Sequence, residues 1–349
     1  MTGTTPVPAW RGLPDVASRA LGGSVVSASD EFFADVHSLI AAGPAQWDPA
    51  AYGPRGKIYD GWETRRRREP GDDWVIVRLA APAVVRGVIV DTAHFTGNYP
   101  PAAALDGTTV LGYPSAAELA AADWPPLAPK AGLRGDHANE LAVTGPDRLV
   151  THVRLTIYPD GGVARLRVHG EVVPDPRWLG GRPDVAALLA GGQVADCSNM
   201  FYASPANVLS PGRARVMSDG WETSRRRDDG NDWLVVRLAA PAVLHEAVID
   251  TSRFVGNAPG RARLTDAETG AELLAETPLV PDTEHRFRLA ALAAPSWLVR
   301  LDIYPDGGIS RLRLPGVIPA ASRGPLAQRW LSLLPPGTAS QVDQRDFFA

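Results

Sequence analysis

The stretch Asp60–Pro100 reads DGWETRRRREPGDDWVIVRLAAPAVVRGVIVDTAHFTGNYP, and it recurs at Asp219–Pro259 as DGWETSRRRDDGNDWLVVRLAAPAVLHEAVIDTSRFVGNAP. The two copies align without a gap at an offset of 159, with 25 of 41 positions identical. A period this long exceeds any solenoid repeat and marks a duplicated domain. Within each copy the apolar residues are β-branched and lie in short runs. Trp74–Leu79 and Trp233–Leu238 each end at Ala-Ala-Pro, and Val84–Asp91 and Val243–Asp250 form second runs. Such runs, closed by turn residues, predict strands rather than helices.

Working outward, Arg154–Gly170 matches Arg300–Gly316 at offset 146, with 12 of 17 positions identical. Val153–Tyr158 and Leu298–Tyr304 alternate apolar with polar residues and stop at Pro-Asp-Gly-Gly, a turn signal, with Arg165–Val168 as the returning strand. Upstream, Gly22-Gly23 and Phe32-Phe33 are echoed by Gly191-Gly192 and Phe201-Tyr202 at offset 169. The changing offsets place ten extra residues around Gly43–Gly56 of the first copy and thirteen more between Pro100 and Arg154. Insertions of this kind fall in loops, where added backbone costs little. The reading is therefore all-β, with antiparallel sheets packed as two tandem sandwiches. We place the first repeat at residues 1–172, the second at 173–325 and a tail at 326–349, with Pro174, Pro176 and Pro183 at the joint. Helices are expected only at Asp184–Leu189, Ser115–Ala122 and Ala327–Leu334.

The 349 residues carry a net charge of −4, with 45% hydrophobic and 21% charged residues. That balance is globular and gives no reason to expect nucleic acid or an anionic membrane as partner. No run approaches the roughly 18 apolar residues of a membrane span, and residues 1–14 lack the basic and apolar regions of a signal peptide. One cysteine, Cys197, excludes an intrachain disulfide and fits a reducing cytoplasm.

Chemistry concentrates in Asp60–Arg68 and Asp219–Arg227. A guanidinium matches a carboxylate bidentately, so arginines beside acids suit a small anionic ligand. In an extended segment Asp60, Trp62, Thr64 and Arg66 share one face, and Glu63, Arg65 and Arg67 the other. Trp74 and Trp233 are expected in the core, while Trp62 and Trp221 fit either core or site. Asn98 and Asn257 read as turn residues. None of the seven histidines recurs in the other copy and none has metal-ligand spacing, so no metal and no cofactor is expected. His94 lies inside the repeated segment, aligned with Arg253. No GxSxG nucleophile is present.

The linked motifs DGWETRRRR…DDW, DTxHFTGNYP and IYPDGGVARLRVHG, in order and each repeated, closely resemble the allantoicase family over residues 10–320. The openings at Leu13–Ser18 and Ala28–Phe33 resemble it too. Two departures stand out. The residue before the final Asp-Trp, often His in the family, is Asp72 or Asn231 here, and Ser224 replaces the first arginine of the second run. The resemblance implies two jelly-roll sandwiches like galactose-binding domains, a homo-oligomer, and hydrolysis of a non-peptide C–N bond, converting allantoate to ureidoglycolate and urea in purine breakdown. For that reaction Arg66, Arg67, Arg225 and Arg226 are candidates for the substrate carboxylate. Glu63, Asp60, Glu222 and Asp219 are candidates for the ureido N–H groups, with Glu63 and Glu222 for the proton transfer. His94, Tyr158 and Tyr304 are candidate substrate contacts, and for the two tyrosines a strand-ending role is equally open. Elimination of urea followed by hydration is as open as direct displacement. The rival readings are a non-catalytic tandem module for an anion or sugar, and a hydrolase of a related ureide. A purely structural scaffold leaves the repeated arginines without a purpose.

Overall fold

The computed structural model describes residues 8–349; residues 1–7, where the first repeat and the leader reading begin, lie outside the described residues. The chain forms two compact units. One holds the residues up to Val173 together with Leu333–Ala339, and the other holds Pro174–Ser332 together with Ser340–Ala349. Each unit is a β-sandwich with few and short helices.

In the first unit the two apolar runs are one continuous strand, Asp73–Asp91. Its first half pairs antiparallel with Ser24–Ala28 on one side and Val150–Tyr158 on the other. That sheet continues through Ala102–Thr108 to Pro126–Gly132. The register then shifts between Arg78 and Ala83. Beyond the shift the strand pairs with Arg165–Val172 and with Ala138–Leu141. One strand thus serves both layers, turning at Leu-Ala-Ala-Pro, where the proline has no N–H for a ladder.

The second unit repeats this with one break. Asp232–Leu244 alternates buried and half-buried residues along its whole length, as a strand packed on one face should. It is separated from Glu246–Asp250 at His245. The reason lies on the neighbouring strand. His169, which pairs with Gly87 in the first unit, is replaced by Pro315, which cannot donate, so Arg311–Arg313 and Gly316–Val317 become separate strands.

The thirteen-residue insertion contains its own short helix, Ala116–Ala120, closed by a capping box between Ser115 and Glu118. Asp184–Leu189 differs from expectation, because only a 3-10 turn, Leu188–Ala190, forms there. The helix expected at Ala327–Leu334 starts earlier and spans Ala320–Leu333, with Pro325 inside it.

The tryptophans also correct the expectation. Of the four tryptophans in the repeated segment, Trp62 and Trp221 are fully buried, at 0% exposure, while Trp74 and Trp233 are half-buried. Each buried indole N–H donates to a backbone carbonyl, Trp62 to Asp30 at 2.7 Å and Trp221 to Asn199 at 2.8 Å. A buried indole needs that partner, and the strand-heading tryptophans instead face outward, as Trp233 does beneath the Arg300 guanidinium.

Candidate functional site

In each unit the three repeated motifs converge at one place. Trp62–Glu63 forms a two-residue ladder with Gly162–Val163 of the Pro-Asp-Gly-Gly turn, and Trp221–Glu222 does the same with Gly308–Ile309. Thr64 Oγ1 accepts from the Gly161 amide and Thr223 Oγ1 from that of Gly307, both at 3.1 Å. Asp160 accepts the Arg67 amide at 2.7 Å, and Asp306 the Arg226 amide at 2.8 Å. The glycines are required by crowding. A Cβ on Gly162 or Gly308 would sit 2.0 Å from the ring of Phe95 or Phe254, well inside van der Waals contact.

Glu63 and Glu222 lie at the centre of these frames, half-buried. Asn98 Nδ2 donates to Glu63 Oε1 at 2.6 Å, and Asn257 Nδ2 to Glu222 Oε1 at 2.5 Å. Burial pushes the Glu63 carboxyl above the ordinary glutamate range, and the Asn98 hydrogen bond opposes that rise. No cation pairs with either glutamate among the described residues, so the expected face shared by Glu63 with Arg65 and Arg67 does not form. Arg65 instead binds Asp30 through its amide and guanidinium, each at 2.8 Å. Arg67 pairs with buried Asp73 at 2.7 Å and packs flat against Gly71. The signal for Asn98 and Asn257 was present in the repeated Gly-Asn, but a turn explains that dipeptide equally well, and the contact spans 35 residues.

The other predicted residues are placed as follows. Asp60 Oδ2 accepts from Arg165 and from the Gln46 amide, at 2.7 and 2.8 Å. Burial raises its pKa, but the Arg165 hydrogen bond, the Gln46 amide and the charges of Arg165 and His94 outweigh that and hold it low. Asp219 Oδ2 accepts from the amide and side chain of Arg215, which likewise overcome burial and hold it low. Arg226 pairs with Asp232 and Asp228. Arg66 and Arg225 are exposed and make no ion pair among the described residues. His94 adopts a left-handed φ of 69°, held by its amide bond to Asp136, and its ring lies against Trp47. Tyr158 lies under the Lys130 ammonium at 3.7 Å, and Tyr304 near Arg261. Burial, then neighbouring aspartates, raise both phenols. Neither tyrosine contacts a site glutamate among the described residues.

The ten-residue insertion of the first unit builds onto this end. Trp47 lies against Tyr59 and His94, Tyr59 stacks on Phe95 at 4.7 Å, and Lys57 covers Trp47. Arg55 lies over Phe32 at 4.2 Å. A cavity of about 610 Å³ opens between Glu31–His37 and Gly53–Ile58; its wall residue Ala34 is bridged to Glu63 through the backbone. None of the predicted site residues lines it. Among the described residues no three His, Cys, Asp or Glu side chains gather into a metal-ligand set.

The chain matches the allantoicase repeat model twice, over residues 14–173 and 183–319. A probable allantoicase of Nocardia farcinica is 57% identical over 310 residues, which is 87% of this chain and 94% of the relative. One of Streptomyces avermitilis is 49% identical over 337 residues, 91% and 89% of the two chains. The crystal structure of allantoicase from Saccharomyces cerevisiae superposes with a TM-score of 0.74 at 34% identity, covering 87% of this chain and 92% of the other. A double match of this extent, on motifs that meet at one place in each unit, means that the chain belongs to the allantoicase family.

Proposed function

We propose that each unit carries a copy of an allantoate-hydrolysing site in which Glu63 or Glu222 supplies the proton. The chain is a hydrolase of a non-peptide C–N bond, acting on a small molecule. Allantoate carries two ureido arms on the carbon next to its carboxylate. Hydrolysis breaks one bond from that carbon to a ureido nitrogen. The nitrogen takes a proton and leaves as urea, and the oxygen of water ends on the carbon as ureidoglycolate. The departing nitrogen needs an acid that still holds its proton near neutral pH.

One observation carries the choice of acid. Glu63 is the site carboxyl that burial makes harder to ionise, and its only side-chain partner among the described residues is a neutral amide. Asp60 and Asp219, held ionised by arginines, suit a different task. The Oδ1 atom of Asp60 makes no hydrogen bond among the described residues and would accept a ureido N–H group, with Asp219 in the matching role in the second unit. Arg66 and Arg225, exposed and without an ion pair among the described residues, anchor the substrate carboxylate. Arg67 and Arg226, already bound to Asp73 and Asp232, add a second cation nearby. His94, Tyr158 and Tyr304 complete the binding surface. The repeats are read as 1–172 and 173–325 with a tail at 326–349, in a cytoplasmic homo-oligomer; no helix among the described residues is long and apolar enough to cross a membrane.

The test is incubation of the purified protein with allantoate and measurement of urea and ureidoglycolate. Folded protein that releases neither would overturn the activity. Undiminished turnover in both Glu63→Gln and Glu222→Gln would discard the proposed acid.

A further inference from the structure

We infer that Asn98 and Asn257 are positioning residues for the reaction, each choosing which oxygen of Glu63 or Glu222 carries the catalytic proton. The inference rests on the reading of those glutamates as proton donors.

Each asparagine is fixed by the same turn that pairs with its glutamate. The Gly162 amide donates to the Asn98 carbonyl at 2.7 Å, and Gly162 is also the ladder partner of Glu63. In the second unit the Gly308 amide donates to the Asn257 carbonyl at 2.9 Å, and Gly308 is the ladder partner of Glu222. The glycine before each pairing residue lets the two loops touch. A Cβ on Gly161 would lie 2.8 Å from the Asn98 carbonyl oxygen, and one on Gly307 would lie 2.5 Å from that of Asn257. Both glycines also hold left-handed φ values, 138° and 132°. Backbone and side chain of the asparagine are thereby tied to the glutamate from two directions, in both units.

The chemical consequence follows from donor counting. A carboxamide N–H can only donate. With Nδ2 held against Oε1, that oxygen must accept, so a proton on the carboxyl resides on Oε2. The hydrogen bond also strengthens on ionisation, because an ionised acceptor binds a donor more tightly. Asn98 therefore aims the acid before transfer and stabilises the carboxylate after it. In the proton-transfer step Oε2–H breaks, N–H forms on the leaving ureido nitrogen, and the charge left on the carboxylate is met at Oε1 by Asn98. An apolar side chain would fill the space but do neither.

The test compares kcat, KM and the pH profile of kcat for allantoate in Asn98→Leu, Asn257→Leu and the double variant. Asn98→Asp and Asn257→Asp serve as near-isosteric alternatives should leucine impair folding. Losing a hydrogen bond to a charged group predicts a fall in kcat of about ten- to a hundredfold in the working unit, with KM nearly unchanged. The alkaline limb, which reports ionisation of the acid, moves to higher pH, and it moves furthest in the aspartate variants, whose charge opposes ionisation. Folded variants that keep the wild-type kcat and limb would overturn the positioning role. A drop in kcat with an unmoved limb would also overturn it, showing a merely structural contact. Glu63→Gln and Glu222→Gln, combined in one chain and run alongside, separate the two readings. If they retain turnover, the acid assignment fails whatever the asparagines do; if they abolish it while the asparagine variants stay normal, only the present inference fails.

Discussion

The loop ends of the two units share a frame and differ in what is built on it. Tryptophan, glutamate, asparagine and the glycine turn occupy matching places with nearly matching distances. Around them the first unit uses an ion pair, Asp30 with Arg65, where the second uses a neutral pair, Asn199 with Ser224 at 2.7 Å. The first unit covers Phe32 with Arg55 of its inserted loop. The second lacks that loop, and Phe201 and Tyr202 stand 68% and 64% exposed. His94, against Trp47, has Arg253 as its counterpart. Buried, interlocked positions tolerate little change because each contact constrains several others. The rim is free to diverge, so the frame marks the shared task and the rim marks what distinguishes the two copies.

The largest expected effect tests whether the two frames work equally. With both sites disabled, Glu63→Gln plus Glu222→Gln should lower kcat by about 10²- to 10⁴-fold, the usual contribution of a general acid. The single variants should divide that loss unequally, Glu63→Gln taking the larger share. Equal losses, measured on urea release, would erase the functional difference between the units.

The next test turns on acid stability. His152 is 1% exposed, and burial, then the Arg78 charge, lower its pKa to about 4. The aligned residue in the second unit is Leu298. An imidazole whose folded pKa lies below its unfolded value resists protonation only while folded. Its contribution to stability is complete above about pH 6.5 and is lost as pH falls toward 4. The loss approaches roughly 3 kcal/mol for a shift of this size. Urea unfolding at pH 7 and pH 5 should show the first unit losing stability faster than the second, and His152→Leu should remove that difference. An unchanged pH dependence in the variant would contradict it.

A somewhat smaller effect concerns the arginine clamps. Asp232 is fully buried, and Arg226 reaches it at 2.9 Å. Arg226→Ala leaves that carboxylate unpaired, at a cost of about 2–3 kcal/mol in denaturant unfolding, reduced because Arg226 is itself partly exposed. Arg67→Ala should act similarly on Asp73.

The smallest effect is an exchange of rims. Arg65 is 65% exposed, so its ion pair contributes at most about 1 kcal/mol. Asp30→Asn combined with Arg65→Ser imports the second unit's pair and should leave stability within about that range. A larger loss would show that the ion pair supports the frame rather than decorating it.

Much of this was legible in the chain. Period-two runs and Pro-Asp-Gly-Gly turns announced the sandwiches, and the repeat located Glu63 and Glu222 among a handful of residues. The chain favoured Trp74 over Trp62 for the core and the order came out reversed, because either indole can cap a strand or fill a core. Their order was decided by a carbonyl, that of Asp30, available only after folding. The apparent face of Glu63, Arg65 and Arg67 was misleading for a related reason. Only Trp62–Glu63 is in a strand, and beyond it Asp30, Asp73 and Asp160 redirect each arginine in turn.

The sequence by itself determined the duplication, the β-class, the placement of insertions and the family, since these depend on local pattern and on order along the chain. The tertiary structure alone decided the partners. Asn98 lies 35 residues from Glu63 and Arg165 lies 105 from Asp60. Hydrogen bonds of such separation leave no periodic trace in sequence, and they are chosen only when burial removes water and each donor must find an acceptor within the fold.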